Sequence, residues 1–211
     1  MTETTARRWA YAAAAAGVIG NGLFAAFYVS FAVQDFGNPR GVAAGLGSAA
    51  DYAGIVQNLL LVAVTAVVYR FLSRQQRFDR VLQVIGAAAF AAAAMSGVAT
   101  VADLTPGAGP VAIGSVLAST AWLLAIGSRG SWLPGRRWVR AARAGQLIAA
   151  TILGCGALML AGFALHAGAV IWAATAVGVL AWLAIPVWVL AVGRTLARPW
   201  AVRPVTETAA V

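Results

Sequence analysis

The sequence predicts an all-α integral membrane protein, a bundle of six transmembrane helices with both termini in the cytoplasm. Three observations lead to this prediction. Of the 211 residues, 62% are hydrophobic and 10% are charged, with a mean hydropathy of +0.84, whereas soluble domains carry about a quarter of charged residues. The chain contains six apolar runs, each close to the ~20 residues that cross a bilayer. Its arginines concentrate in alternate connections between these runs.

The six apolar runs account for most of the chain and leave no room for a second, soluble domain. They lie at 9–33, 52–71, 81–102, 111–127, 144–165 and 168–193. Six of the seven prolines lie outside these runs, where helix breakers are expected. Pro186 is the exception, and it predicts a kink in the sixth helix. We therefore expect a single integral membrane domain over residues 1–211.

The distribution of arginine predicts the orientation. Fourteen of the fifteen arginines precede the first run, follow the last one or lie around the second and fourth connections, and only Arg40 lies on the other side. Because cytoplasmic loops are enriched in basic residues, we expect a multi-pass protein of the cytoplasmic membrane with N and C termini inside. The first run, at 25 residues, exceeds the ~7–15 residues of a signal peptide core, so it is interpreted as a retained helix.

A short similarity within the chain suggests an internal repeat. The sequence Trp-Leu-Leu-Ala-Ile-Gly at 122–127 resembles Trp-Val-Leu-Ala-Val-Gly at 188–193, and an arginine follows each closely. Both segments end an even-numbered run, which three tandem helical hairpins would produce. Chance similarity in a sequence so rich in Ala, Gly and Val is the alternative.

Ionisable residues gather at the outer ends of the predicted helices. Ionisable groups at membrane depth are costly and indicate function by default. Half of the acids and the only histidine fall on this side, and they are the candidate catalytic residues Asp35, Asp51, Asp103 and His166. An aspartic acid kept protonated by apolar surroundings could protonate a lipophilic substrate, and His166 could exchange the proton.

Further polar residues lie deeper and are the candidate ligand-binding residues. They are Asn21, Gln57, Asn58 and Ser96, together with Arg40 at the outer side. Amides in hydrocarbon need hydrogen-bond partners. If the first three helices pack together, these groups line one outward-facing pocket, with the acids at its rim and the amides toward its floor.

A purely structural interpretation accounts for the same residues. Asp51 is placed to be the N-cap of the second helix. Asp35 and Asp103 lie at helix C-termini, where the helix dipole disfavours acids, and could pair with Arg40. A histidine in a loop is usually solvated, and amides can bond neighbouring helices.

Several classes of function are excluded by composition. The chain has no lysine for a retinal Schiff base. With Cys155 as the only cysteine and His166 as the only histidine, zinc, haem and iron–sulfur sites lack ligands. Since no nucleotide-binding or hydrolase motif is present either, we expect no cofactor and no metal. Topology explains the arginines, so nucleic acid is not an expected partner.

The remaining hypotheses concern lipophilic molecules. An apolar pocket with a few polar groups suits a small amphipathic, lipid-like or isoprenoid-like ligand, with membrane lipids as further partners and an oligomer compatible with the sequence. In size and helix count the chain resembles the small integral-membrane terpene cyclases, which implies acid-catalysed cyclisation. The Asn-x-x-Trp-Glu pattern of that family is absent, so no residue is carried over. A small-solute or proton-coupled transporter and a structural or regulatory membrane subunit are the alternatives.

Overall fold

The computed structural model describes residues 3–34, 42–73, 80–102, 108–130 and 136–196. These residues form seven α-helices. The helices are α1 (Glu3–Gln34), α2 (Val42–Ser73), α3 (Arg80–Val101), α4 (Ala108–Gly130), α5 (Arg136–Ala164), α6 (Gly168–Leu183) and α7 (Ile185–Leu196). The described part of the chain is therefore entirely helical apart from its turns, as the composition predicts.

Five stretches of helix are long and apolar enough to cross a membrane. They are Arg7–Phe27, Gly45–Tyr69, Arg80–Val101, Arg137–Ala164 and Gly168–Thr195, the last of which includes α6 and α7. A shorter apolar helix, Ile113–Ser128, lies within α4. The prediction of an all-α, multi-pass membrane protein agrees with these helices.

Two helices begin well before the predicted positions. Helix α2 starts at Val42 rather than at residue 52, because the small apolar residues before Asp51 continue the helix. Helix α5 starts at Arg136 rather than at residue 144. Its first turns are amphipathic, with exposed arginines on one side and buried Trp138 and Ala141 on the other. A hydropathy window misses such a segment because its average is lowered by the arginines.

The helices pack in chain order around a ring. Helix α1 contacts α2, α2 contacts α3, α3 contacts α4, and α4 contacts α5; α5 contacts both α6 and α7, and α7 returns to α1. We call the end of the bundle that carries Arg7, Arg80, Arg137 and Arg194 the arginine end, and the opposite one the far end. Neighbouring helices run in opposite directions, since Gly193 near the end of α7 meets Tyr11 near the start of α1.

The sixth apolar run is interrupted near Pro186, where the sequence predicts a kink. The break lies at Ala184, whose N–H donates to the Leu180 and Ala181 carbonyls at 3.2 Å. Pro186 has no N–H and cannot bond to the carbonyl four residues earlier. As a result α6 packs mainly on α5, while α7 packs on α1 and α5.

The buried core lies in the arginine end. Its most buried side chains include Val68, Trp122, Ile126, Val189 and Val192. At the far end, by contrast, the hairpin of α5 and α6 packs mainly on itself, and Leu160 and Trp172 are 73% and 77% exposed. The bundle is thus tightly packed at one end and loosely packed at the other.

The two similar segments occupy comparable places in the ring. Trp122 of α4 covers Gly86 of α3, and Trp188 of α7 covers Gly145 of α5. At the other end of each segment, Gly127 faces α5 and Gly193 faces α1, each at a distance that leaves no room for a Cβ. In each segment, therefore, the tryptophan packs on the neighbouring helix that comes before it in the ring, and the glycine faces the neighbouring helix that comes after it.

Candidate functional site

The cavity inside the ring consists of two adjacent compartments. The mouth compartment, of about 250 Å³, lies between α1, α2, α3 and α6, toward the far end. The core compartment, of about 40 Å³, lies deeper, and every helix of the ring contributes at least one residue to its lining. The two share Asn21, Gln57, Asn58, Ala93 and Trp182, so they are adjacent.

The mouth compartment combines one acid with aromatic and small apolar side chains. In addition to the shared residues it is lined by Gly20, Phe24, Ala50, Asp51, Gly54, Ile55 and Gly97. A Cβ added to Gly54 would meet no atom within 4 Å, so this glycine borders open space. The compartment is wide enough for a small organic head group or part of an acyl chain.

The core compartment is narrower and mainly apolar. In addition to the shared residues its walls are Leu61, Phe90, Val116, Ser119, Thr120, Leu123, Ile152, Ile185, Pro186 and Trp188. The Ser119 and Thr120 hydroxyls both donate to the Val116 carbonyl, at 3.0 and 2.6 Å. A single water molecule needs a cavity volume of ~10–15 Å³. The core compartment therefore holds only a few water molecules or the tip of an apolar chain.

Three amides meet where the compartments join. Asn58 Nδ2 donates to the Gly54 carbonyl at 2.9 Å, and Asn21 Nδ2 donates to the Leu183 carbonyl at 3.5 Å. Within the described residues Gln57 makes no hydrogen bond. An amide offers two donor hydrogens and a carbonyl acceptor, so hydrogen-bonding capacity remains here for a ligand or water.

Close packing fixes the position of Gln57. A Cβ at Gly17 of α1 would lie 2.5 Å from Gln57 Nε2 and 2.6 Å from Pro186 Cγ. Only glycine at position 17 lets α1, α2 and α7 approach at this level. The floor of the site is therefore built from a glycine, an amide and the proline at the helix break.

Asp51 lies inside α2, more than two turns after its first residue, Val42. The interpretation of Asp51 as an N-cap is therefore wrong: a cap precedes the first turn, where free N–H groups need acceptors. Its side chain is exposed and borders the mouth compartment. No hydrogen bond or ion pair to Asp51 occurs among the residues that the structure describes.

The other candidate residues divide into two groups. Asp35, Arg40 and Asp103 lie outside the described residues. His166 and Ser96 are described, but neither lines the cavity. His166 is exposed in the turn between α5 and α6, with a positive φ of 53°. Ser96 is buried, and its carbonyl accepts a 3.0 Å hydrogen bond from Thr100 Oγ1.

Some cavity residues escaped the sequence analysis. Trp182 was not among the candidate site residues, yet it is 42% exposed and lines both compartments. Trp122, another tryptophan of the apolar runs, is instead buried against Phe90, with ring centroids 5.6 Å apart. The signal that could have separated them is Pro186, because a helix break opens space around the residues before it.

The described residues contain no group of three His, Cys, Asp or Glu side chains that could hold a metal. Cys155 is buried against Gly178 and takes no part in the cavity. The cavity therefore offers an acid, amides, hydroxyls and aromatic faces as its chemical groups. Comparison of the chain with family models, curated proteins and solved structures gives no match.

Proposed function

We propose that this protein binds a small amphipathic molecule in an outward-facing pocket of the cytoplasmic membrane. The observation that carries the proposal is the order of the groups along the two adjacent compartments: Asp51 borders the mouth compartment, three amides line both compartments, and the inner walls are mainly apolar. Such a gradient suits a ligand with a polar head and an apolar tail.

The proposed topology has six spans, with N and C termini inside. Helix α4 supplies the sixth span, since its 23 residues extend for ~35 Å at 1.5 Å per residue, which exceeds the ~30 Å of the hydrocarbon core. Fourteen of fifteen arginines support a cytoplasmic arginine end. The far end, where the mouth compartment lies, would then face outward. The equivalent packing of the segments at 122–127 and 188–193 supports three tandem hairpins.

The loose packing of the far end supports entry from the membrane. Helix α6 packs mainly on α5, and Trp182 of α6 forms one wall of the mouth compartment opposite residues of α1 and α2. A ligand dissolved in the outer leaflet would therefore reach Asp51 without crossing the packed core.

Chemical conversion of the ligand is a second candidate function. Acid-catalysed cyclisation needs a proton donor and aromatic faces that stabilise a carbocation. Asp51 and the rings of Phe24, Phe90, Trp182 and Trp188 border the cavity, so both kinds of group are present. Transport within one protomer is less well supported, because the buried core fills the arginine end.

Mass spectrometry of the small molecules and lipids bound to the purified protein tests the proposed function. Gly54→Leu should fill the mouth compartment. Gly22→Leu makes the same change in α1, where a Cβ also meets nothing within 4 Å and the glycine lines neither compartment. We expect a distinct ligand with wild type and Gly22→Leu and its loss with Gly54→Leu. The same bulk lipid on all three proteins would contradict the proposal.

Comparison of wild type with Asp51→Asn and Asp103→Asn then tests the acids. A changed or missing ligand in either variant would place that carboxyl group in the site. A product that accumulates only with wild type would indicate an enzyme, and an unchanged ligand would indicate a carrier or a binding protein.

A further inference from the structure

The charge of the cavity wall bears on the chemistry of the ligand. Among the described residues that line the two compartments, Asp51 is the only ionisable side chain, and no arginine or histidine lines either compartment. A phosphate or carboxylate head group would therefore meet a carboxylate and no cation among the described residues of the cavity wall. Like-charge contact of this kind disfavours an anionic ligand.

The hydrogen bonds of the cavity wall also favour a ligand that is not anionic. The hydroxyls of Ser119 and Thr120 donate their only hydrogens to the Val116 carbonyl. Asn58 and Asn21 each donate an amide hydrogen to a backbone carbonyl. Within the described part of the chain, Asn21 and Asn58 each retain one amide hydrogen and Gln57 retains both, whereas the Asp51 carboxylate, the amide oxygens and the hydroxyl oxygens all remain as acceptors. Acceptor oxygens therefore outnumber donor hydrogens around the cavity, and such a site favours a ligand that donates or carries positive charge.

Aromatic rings complete the site. Phe24 and Trp182 line the mouth compartment together with Asp51, and both are partly exposed. The face of an aromatic ring attracts a cation within about 6 Å, and tryptophan is the strongest of the three aromatic residues in this respect. A carboxylate and two ring systems around one space form a suitable environment for an ammonium group.

We propose that the ligand of this cavity is a lipophilic cation, an amphiphile with an ammonium head group held by Asp51 and Trp182 and with its apolar part directed toward the core compartment. This inference rests on the proposed function and specifies its ligand. It depends on charge and on acceptor geometry, whereas the proposed function depends only on the existence of the cavity.

The test uses three probes with the same twelve-carbon chain: dodecylammonium, dodecanol and dodecanoate. Their binding to the full-length protein is measured by native mass spectrometry in nanodiscs of zwitterionic phosphatidylcholine, with empty nanodiscs as the reference for partition into lipid. Wild type should prefer dodecylammonium over dodecanol by about tenfold, and dodecanoate should bind most weakly. Asp51→Asn, which preserves the shape of the side chain and removes its charge, should abolish the preference for dodecylammonium over dodecanol.

Gly54→Leu and Gly22→Leu separate the two levels of the proposal. If Gly54→Leu weakens all three probes and Gly22→Leu does not, the cavity binds amphiphiles. Equal binding of ammonium and alcohol, or an unaltered preference in Asp51→Asn, would then overturn the cation inference alone. If Gly54→Leu changes nothing, the amphiphile-binding function itself fails.

Discussion

The indole Nε1–H of Trp188 donates a 2.8 Å hydrogen bond to the backbone carbonyl of Ala141, which joins α7 to α5 just beyond the helix break. The indole reaches this carbonyl because position 145 is glycine: a Cβ there would lie 2.6 Å from Trp188 Nε1. The contact anchors the segment after Pro186 in the buried core, while the segment before it follows α5 toward the far end.

Trp188→Phe should lower the free energy of unfolding by about 1 kcal/mol, because the variant loses one buried hydrogen bond while retaining most of the apolar ring. Thermal unfolding of the detergent-solubilised protein would measure this. Trp172→Phe is the control, since Trp172 is 77% exposed and should shift the midpoint little. Equal shifts in the two variants would contradict a specific role for the Trp188 hydrogen bond.

Gly86→Ala should destabilise the bundle by about 1–3 kcal/mol, the usual cost of overpacking a well-packed core. A Cβ at this position would collide with the buried indole of Trp122, which cannot move away easily. Gly114→Ala in α4 is the matched control, because its Cβ would meet nothing within 4 Å. Unfolding midpoints that fall equally in both variants would show that the Trp122 contact is not the cause.

Gly17→Ala should displace Gln57 and narrow the cavity floor, since the new Cβ would overlap Gln57 Nε2 and Pro186 Cγ. Overpacking of this kind costs about 1–3 kcal/mol, so both stability and amphiphile binding should fall. Gln57→Ala in the same background should restore part of the stability, because it removes the clash with Gln57 and leaves the one with Pro186. If the double variant is no more stable than Gly17→Ala, the contact with Gln57 does not account for the loss.

Cysteine labelling in intact cells should establish the orientation of the bundle. In a Cys155→Ser background, His166→Cys should react with a membrane-impermeant maleimide, because His166 is exposed in the turn at the far end. Arg194 has an exposed side chain at the arginine end, so Arg194→Cys should react only after the cells are lysed. The reverse pattern would overturn the proposed orientation, and with it an outward-facing mouth.

Hydropathy sufficed to predict helices that could span a membrane, because it depends only on composition along the chain. Helix starts were harder to predict. Asp51 resembled a cap in the sequence, but the small residues before it extend α2 to Val42. The arginines at the start of α5 concealed a helical segment whose other side is buried against the core.

Four polar residues could be assigned to one pocket from the expectation that neighbouring helices pack together: Asn21, Gln57, Asn58 and Asp51. The structure places all four around the mouth compartment. The sequence could not show that Trp182 would join them, or that His166 and Ser96 would not line the cavity. Those outcomes depend on the direction of each side chain around its helix and on how α6 diverges from α7 at Ala184. The sequence by itself thus determined that the chain forms long apolar helices and which residues are costly in lipid, since these are local properties of composition. Only the tertiary structure decided which of those residues face a common space, because that follows from the glycine contacts and the proline break that set how closely each pair of helices can approach.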